Sequence, residues 1–345
     1  MVGPGDEDFR TLRAVSSGTM SRSQGPRSPT RGRVRPKPAS RTGDRVMFVL
    51  CAVACLIVVL TLADVVYQLA DNARPAISKF GLGFLVHSTW RPGFKQFGAG
   101  ALIYGTLVSS FFALALATPL GVAIGLYLSM MAPPRVRATV GPLVEMLAAV
   151  PSIIYGFWGI VVLVPFVLSI EPALHGALGF IPLFGHPATI GISVFSAGLV
   201  LTVMILPIIS ALSRDLFLTV PGELKDGAAA LGATQWEIIR GIVLPSTASG
   251  VGAAVVLGLG RALGEAIAVS FVIGDVNATH VSLFAPGATA AERIANQFQG
   301  AINELQIASM FYVGLILVVI GMITSVAARA IARRFDVNRA LGATV

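Results

Sequence analysis

Arg261 and Glu265 stand four positions apart inside the run Val255 to Gly274, VVLGLGRALGEAIAVSFVIG. The run is long and apolar enough to cross a bilayer. An ionisable side chain in such a place costs about 2.5 kcal/mol or several times that, so the default reading of Arg261 and Glu265 is functional. On one helix the two residues share a face. As a helix stabiliser the pair stands in the poorer order, base before acid, and even the better order contributes only roughly 0.2–0.5 kcal/mol. The bland alternative is a pair that neutralises itself and packs the bundle, and the cost of burial disfavours it. Gly258, Gly260 and Gly264 leave the backbone open to a neighbouring helix or a ligand. With Asp275 they imitate a dinucleotide-binding turn, but the spacing is too compressed for a βαβ unit, which needs about 30 residues.

No other group offers chemistry. The four lysines, Lys37, Lys79, Lys95 and Lys225, follow Pro, Ser, Phe and Leu, so no Gly-Lys-Ser/Thr phosphate loop is possible. His87, His175, His186 and His280 are scattered singly in what read as outer loops, without metal-ligand spacing. Cys51 and Cys55 lie one turn apart in the first apolar run, where they behave as small hydrophobes. No catalytic apparatus is apparent and no cofactor is read for this chain; a nucleotide that drove it would have to be bound by another subunit.

The elements that must position the pair follow from composition. The chain has 345 residues, 55% hydrophobic and 12% charged, with mean hydropathy +0.80; soluble domains carry about 25% charge. The fold class is an all-α polytopic membrane protein. Residues 1–45, rich in Ser, Pro, Gly and Arg, read as a disordered basic tail. Residues 46–335 read as the transmembrane domain and 336–345 as a short C-terminal tail. Six apolar segments have spanning length: Val46 to Leu69, Gly98 to Met131, Thr139 to Ile170, Ala188 to Ser213, Ile242 to Gly274 and Leu305 to Ala328. Nineteen Lys/Arg fall on the side of the N-terminus and five on the other, with Arg261 in the membrane, which sets both termini in the cytoplasm. That distribution, rather than a nucleic-acid partner, accounts for the net charge of +8. Glu145, near Arg137 at the start of the third run, reads as an inner-interface residue.

Between the fourth and fifth runs, a cytoplasmic loop of about 214–242 reads as two short amphipathic helices. Pro221 opens the first, Gly232 occupies a turn suited to positive φ, and Thr234 with Glu237 forms a capping box for the second. Leu224, Ala228, Leu231 and Trp236 fall on one apolar side, suited to a partner's groove.

Lys225 to Pro245, KDGAAALGATQWEIIRGIVLP, resembles the "EAA" signature of binding-protein-dependent ABC importer permeases. Asp226, Gly227 and Ala228 stand for the triplet, Gly232 for the glycine, and Ile242, Leu244 and Pro245 for the close; the triplet departs from the pattern at two positions. The segments LGLGRALGEAIAVSFVIG, LVEMLAAVPSIIYGFWG and FGALIYGTLVSS are similar to those of phosphate transport system permeases. The resemblance implies a type I ABC importer permease fold with a coupling-helix loop, and a subunit of an ATP-driven importer of inorganic phosphate in the bacterial inner membrane. It further implies a homologous permease (PstA-like), two copies of an ATPase (PstB-like) that bind ATP-Mg, and an extracytoplasmic phosphate-binding protein (PstS-like). Arg261 and Glu265, with Gly260 and Gly264, would line the substrate path. Glu223, Asp226, Gly227, Ala228, Leu231 and Gly232 would meet the ATPase. A permease for sulfate, molybdate or phosphonate is the nearer rival. A secondary anion carrier would need an internal inverted repeat that the chain does not display, and it has no use for the cytoplasmic signature; a membrane anchor or signalling scaffold without transport activity would be supported by phosphate flux that depends on neither this chain nor ATP.

Overall fold

A computed structural model describes residues 41–186 and 190–334. Most of the basic tail expected at 1–45, and the tail at 336–345, lie outside the described residues. Residues 41–45 already belong to α1, Arg41–Phe80. Two compact units divide at Val59 and Leu60. The first contains the opening of α1, where Val49, Leu56, Cys51 and Cys55 are all exposed. Everything that follows concerns the second.

Six helices among the described residues are long and apolar enough to cross a membrane. After α1, in which Ala73 and Ala76 are fully buried, a small hairpin of β1 (Trp90–Arg91) and β2 (Gln96–Phe97) leads to α2, Gly100–Leu126. A wide π turn, Tyr127–Met131, prolongs α2.

The third apolar run does not form one span. It is cut into α3 (Pro134–Ala148) and α4 (Ser152–Trp158), and the spanning stretch continues through a π turn to α5, Val164–Leu178. The cause is local: Pro151 lacks an N–H, and its ring drives Val150 out of the helical region. The spanning stretch is therefore Ser152–Leu178, and His175 lies in a helix rather than a loop. On α3, Glu145 reaches Arg214 at 2.6 Å, while Arg137 donates to the Ser129 carbonyl at 2.8 Å.

At the centre stands α6, Val194–Leu218, started by the Ser193 hydroxyl, which accepts from the Ser196 N–H at 3.2 Å. Val200, Leu201, Ile205, Ile209 and Phe217 along it are inaccessible to solvent. Close approach of its neighbours depends on glycine: a Cβ at Gly125 would meet Ser210 and Arg214 backbone at about 3.0 Å, and one at Gly121 would meet Ile209 at 2.9 Å. After α6 come α7 (Gly222–Ala230), α8 (Gln235–Ile238), a third π turn and α9, Leu244–Gly264.

The fifth run also breaks. Its helix ends at Gly264, Glu265 is extended (φ −75°, ψ 122°), and a single turn, α10 (Ile267–Ser270), follows. The chain from Val272 to Gly287 then folds onto the start of α6. Ser193 N–H donates to Val272 O at 3.0 Å, Val194 N–H to Ala285 O at 3.1 Å, and Phe195 N–H to Leu283 O at 2.8 Å. These bonds satisfy backbone groups that an interrupted span would otherwise leave bare in an apolar surrounding. Two elements complete the described residues, α11 (Ala290–Gln297) and α12 (Glu304–Arg334).

Candidate functional site

The two intramembrane charges open on one cavity of about 820 Å³, lined by Ile208, α9 residues from Ala253 to Gly264, Glu265, and Ser325 and Arg329 of α12. Gly260 and Gly264 both line it, and a Cβ on either would meet no atom within 4 Å. These two glycines hold the wall back and expose backbone. Gly258 does otherwise: it is buried, and a Cβ there would lie 3.1 Å from Ile209 of α6, so it serves helix packing and not the cavity.

Arg261 is exposed to the cavity, and among the described residues no carboxylate lies within 4.0 Å of its guanidinium. The expectation that Arg261 and Glu265 share one helical face is corrected. Glu265 lies beyond the last turn of α9, and its Oε1 accepts from the Ala268 N–H at 3.1 Å, capping α10. Glu265 as a whole is 9% exposed. Both groups still border the same space, as members of one cavity lining. A fixed acid and an unneutralised arginine on one wall can hold a tetrahedral oxyanion by its oxygens and accept a hydrogen bond from an acidic hydroxyl on it.

A second surface forms on α7 and α8. Pro221 precedes the first residue of α7, and Gly232 has φ +90°. Gly232 N–H donates to Ala229 O at 3.0 Å and Ala233 N–H to Ala228 O at 3.1 Å, the paired bonds of a Schellman turn. The Thr234–Glu237 capping box is present, with Thr234 N–H donating to Glu237 Oε2 at 2.7 Å. Leu231 is 92% exposed, Trp236 64% and Leu224 55%, a cluster of large apolar groups facing away from the body. Glu223, Asp226 and Gly227 are exposed beside them. Ala228 departs from the expected common face: it turns inward against Phe217, Val220, Ile238 and Val243 and anchors α7.

Sequence reasoning missed four charged residues. Arg329, counted only as a flanking charge, lines the cavity. Glu171, placed in a loop, is buried on α5. Arg293, counted as a loop charge, is 2% exposed and pairs with Asp275 at 2.6 Å. Its Nη2 also donates to Asn277 Oδ1 at 2.8 Å, and its guanidinium lies 5.5 Å from the Trp90 ring. Beside it Glu292 is fully buried, accepts from Asn296 Nδ2 at 2.8 Å, and closes a capping box with Thr289. The signal was available in Thr-Ala-Ala-Glu at 289–292, a capping-box spacing ahead of a short helix.

Burial first, and then repulsion from Asp275, pushes the Glu292 carboxyl up to about 7, with Arg293 opposing the shift. A carboxyl raised above its unfolded value of 4.5 contributes stability that is complete below that value and is lost as pH rises through about 7. Hydrogen-exchange protection of the Thr289–Arg293 amides, corrected for intrinsic rate, is therefore expected to fall between pH 5 and pH 8 in the wild type and to stay level in Glu292→Gln. Equal pH dependence in the two proteins would exclude Glu292 as the source.

Comparison with known proteins adds the following. Residues 117–337 match the family described as binding-protein-dependent transport system inner membrane component. The chain is 40% identical to the phosphate transport system permease protein PstC of Mesorhizobium japonicum, over 85% of this chain and 91% of that protein. It is 44% identical to PstC of Pasteurella multocida, over 81% of this chain and 89% of that one. Among solved structures, a bacterial alginate ABC transporter in complex with a pentasaccharide-bound periplasmic protein superposes with TM-score 0.57 at 16% identity, covering 85% of this chain and 97% of that chain, a likeness of fold.

Proposed function

From a chain that belongs to the binding-protein-dependent transport system inner membrane components, within their PstC-type branch, we propose a permease subunit that carries inorganic phosphate through an ATP-driven importer. The fold is that of a type I ABC importer permease. The observation that carries the substrate path is Arg261, exposed on an open cavity beside two uncovered glycines and without a carboxylate partner among the described residues.

Phosphate near neutral pH carries about one and a half to two negative charges and, unlike sulfate, usually keeps a proton. Arg261 receives two of its oxygens, the geometry to which a guanidinium is matched. Glu265 is held by the Ala268 N–H through one oxygen, and the other accepts from the P–OH. A fully deprotonated sulfate brings no donor and meets only repulsion there, so the carboxylate selects while the guanidinium attracts. The 19:5 excess of Lys/Arg supports an orientation with both termini in the cytoplasm and the α7–α8 surface on the same side. Leu231, Trp236 and Leu224 there dock a PstB-like ATPase that binds ATP-Mg, a PstA-like permease completes the path, and a PstS-like protein delivers phosphate from outside. Closure of the ATPases rocks the permeases and alternates access.

The test is reconstitution of this chain with those three partners in vesicles. Phosphate uptake dependent on ATP and on the binding protein, and not suppressed by excess sulfate, is the expected result. Uptake without ATP, driven by an ion gradient, would remove the importer reading, and stronger uptake of sulfate or molybdate would reassign the substrate.

A further inference from the structure

The cavity that holds Arg261 holds a second arginine for which the proposed path has so far had no use. Arg329 lies on α12, and with Ser325 it forms the wall facing the α9 lining. Its Nε donates to the Ser325 carbonyl at 3.1 Å, which ties the guanidinium to its own helix one turn back, and among the described residues neither Nη makes a hydrogen bond. Among the described residues no carboxylate lies within 4.0 Å of it. The cavity lining therefore contains two guanidinium groups and one carboxylate, and the carboxylate is already held by a backbone N–H.

The placement of the two arginines is opposite in sense. Arg261 is in the last turn of the fifth span and Arg329 is close to the last turn of the sixth. Consecutive spans cross in opposite directions, so these two ends face opposite sides of the membrane, Arg261 toward the outside and Arg329 toward the cytoplasm. The α9 lining from Ala253 to Gly264 covers about 17 Å of helix axis, too far for one arginine to hold an anion throughout. A single strong site also traps what it binds, whereas conduction needs successive sites, each favourable to enter and weak enough to leave.

We propose that Arg329 is a second phosphate-binding residue, which takes the anion from Arg261 and releases it to the cytoplasm. This rests on the reading of Arg261 as the first. Arginines near helix ends also sit at lipid headgroups without touching a substrate, and the test separates the two roles.

The experiment compares Arg329→Gln, Arg329→Lys and Arg261→Gln in the full complex, with radiolabelled phosphate, ATP and binding protein in vesicles. Arg329→Gln is expected to lower the maximal uptake rate about 10-fold with little change in the half-saturating phosphate concentration, since capture at the outer end is intact. Arg329→Lys should recover most of the rate. A second arm uses Arg329→Cys in a chain whose Cys51 and Cys55 are replaced by alanine. Uptake should be restored by a cationic aminoethyl thiosulfonate and not by a neutral reagent of the same size, which addresses the assembled protein and bypasses any folding defect. Normal uptake by Arg329→Gln beside a dead Arg261→Gln would overturn the second site and leave the first standing. Equal rescue by the neutral reagent would do the same. Normal uptake by Arg261→Gln would remove the path on which both depend.

Discussion

Replacing Arg261 with glutamine should reduce ATP-driven phosphate uptake by roughly 100-fold while the complex still assembles. The side chain is exposed to the cavity, makes no ion pair among the described residues, and its helix packs through other positions, Ala254, Gly258, Leu259 and Ala262. Losing it therefore spares the bundle. The substrate, by contrast, loses a fully charged, two-pronged partner, and truncating one member of a desolvated charge pair costs about 2–5 kcal/mol. Arg261→Lys should recover part of the rate, because an ammonium supplies charge without the planar fork. Copurification of the partner subunits at wild-type yield is the control that separates a lost site from a lost fold. Uptake within a factor of two of wild type would remove the guanidinium from the path. Glu265 is a less clean target, since its carboxylate also caps α10, and a change there alters the chain break itself.

A valine at Gly232 should disconnect ATP hydrolysis from uptake. The residue has φ +90°, and a Cβ would meet no atom within 4 Å, so the penalty is conformational and not a collision. Holding a non-glycine residue in such a region costs about 1–3 kcal/mol, more for a β-branched side chain. The chain escapes that cost by opening the turn, which breaks the Gly232 to Ala229 and Ala233 to Ala228 bonds and re-aims Leu231 and Trp236. Less than half the wild-type amount of ATPase should then copurify, and stimulation by the binding protein should disappear. Asparagine, which tolerates positive φ, should retain more function than alanine, and alanine more than valine. If copurification and stimulation both survived in the valine variant, the exposed α7–α8 surface would have some other purpose.

Much of this was legible along the chain. Apolar length alone yields the number of spans. Local backbone chemistry is equally readable: Pro221 before α7, the positive φ of Gly232 and the Thr234–Glu237 capping box each depend on neighbours within a few residues. Arg261 stood out because a charge in a hydrophobic run is costly wherever the run folds.

Other features required the assembled molecule. Hydropathy sums a segment without knowing whether it crosses the membrane once, bends, or lies along it, so the end of α9 at Gly264 vanished into a longer run. The identical residue type also serves opposite ends: Gly258 faces Ile209 and packs, while Gly260 and Gly264 face open space. Arg293 with Asp275, and Arg329 in the cavity that Arg261 also lines, are separated in sequence and brought to one place only by packing. The sequence by itself determined what is local or additive, namely a six-span membrane chain with one expensive charged turn and one exposed apolar loop. Only the tertiary structure decided which charges share a cavity, because that depends on contacts between distant segments, and no sum over neighbouring residues contains them.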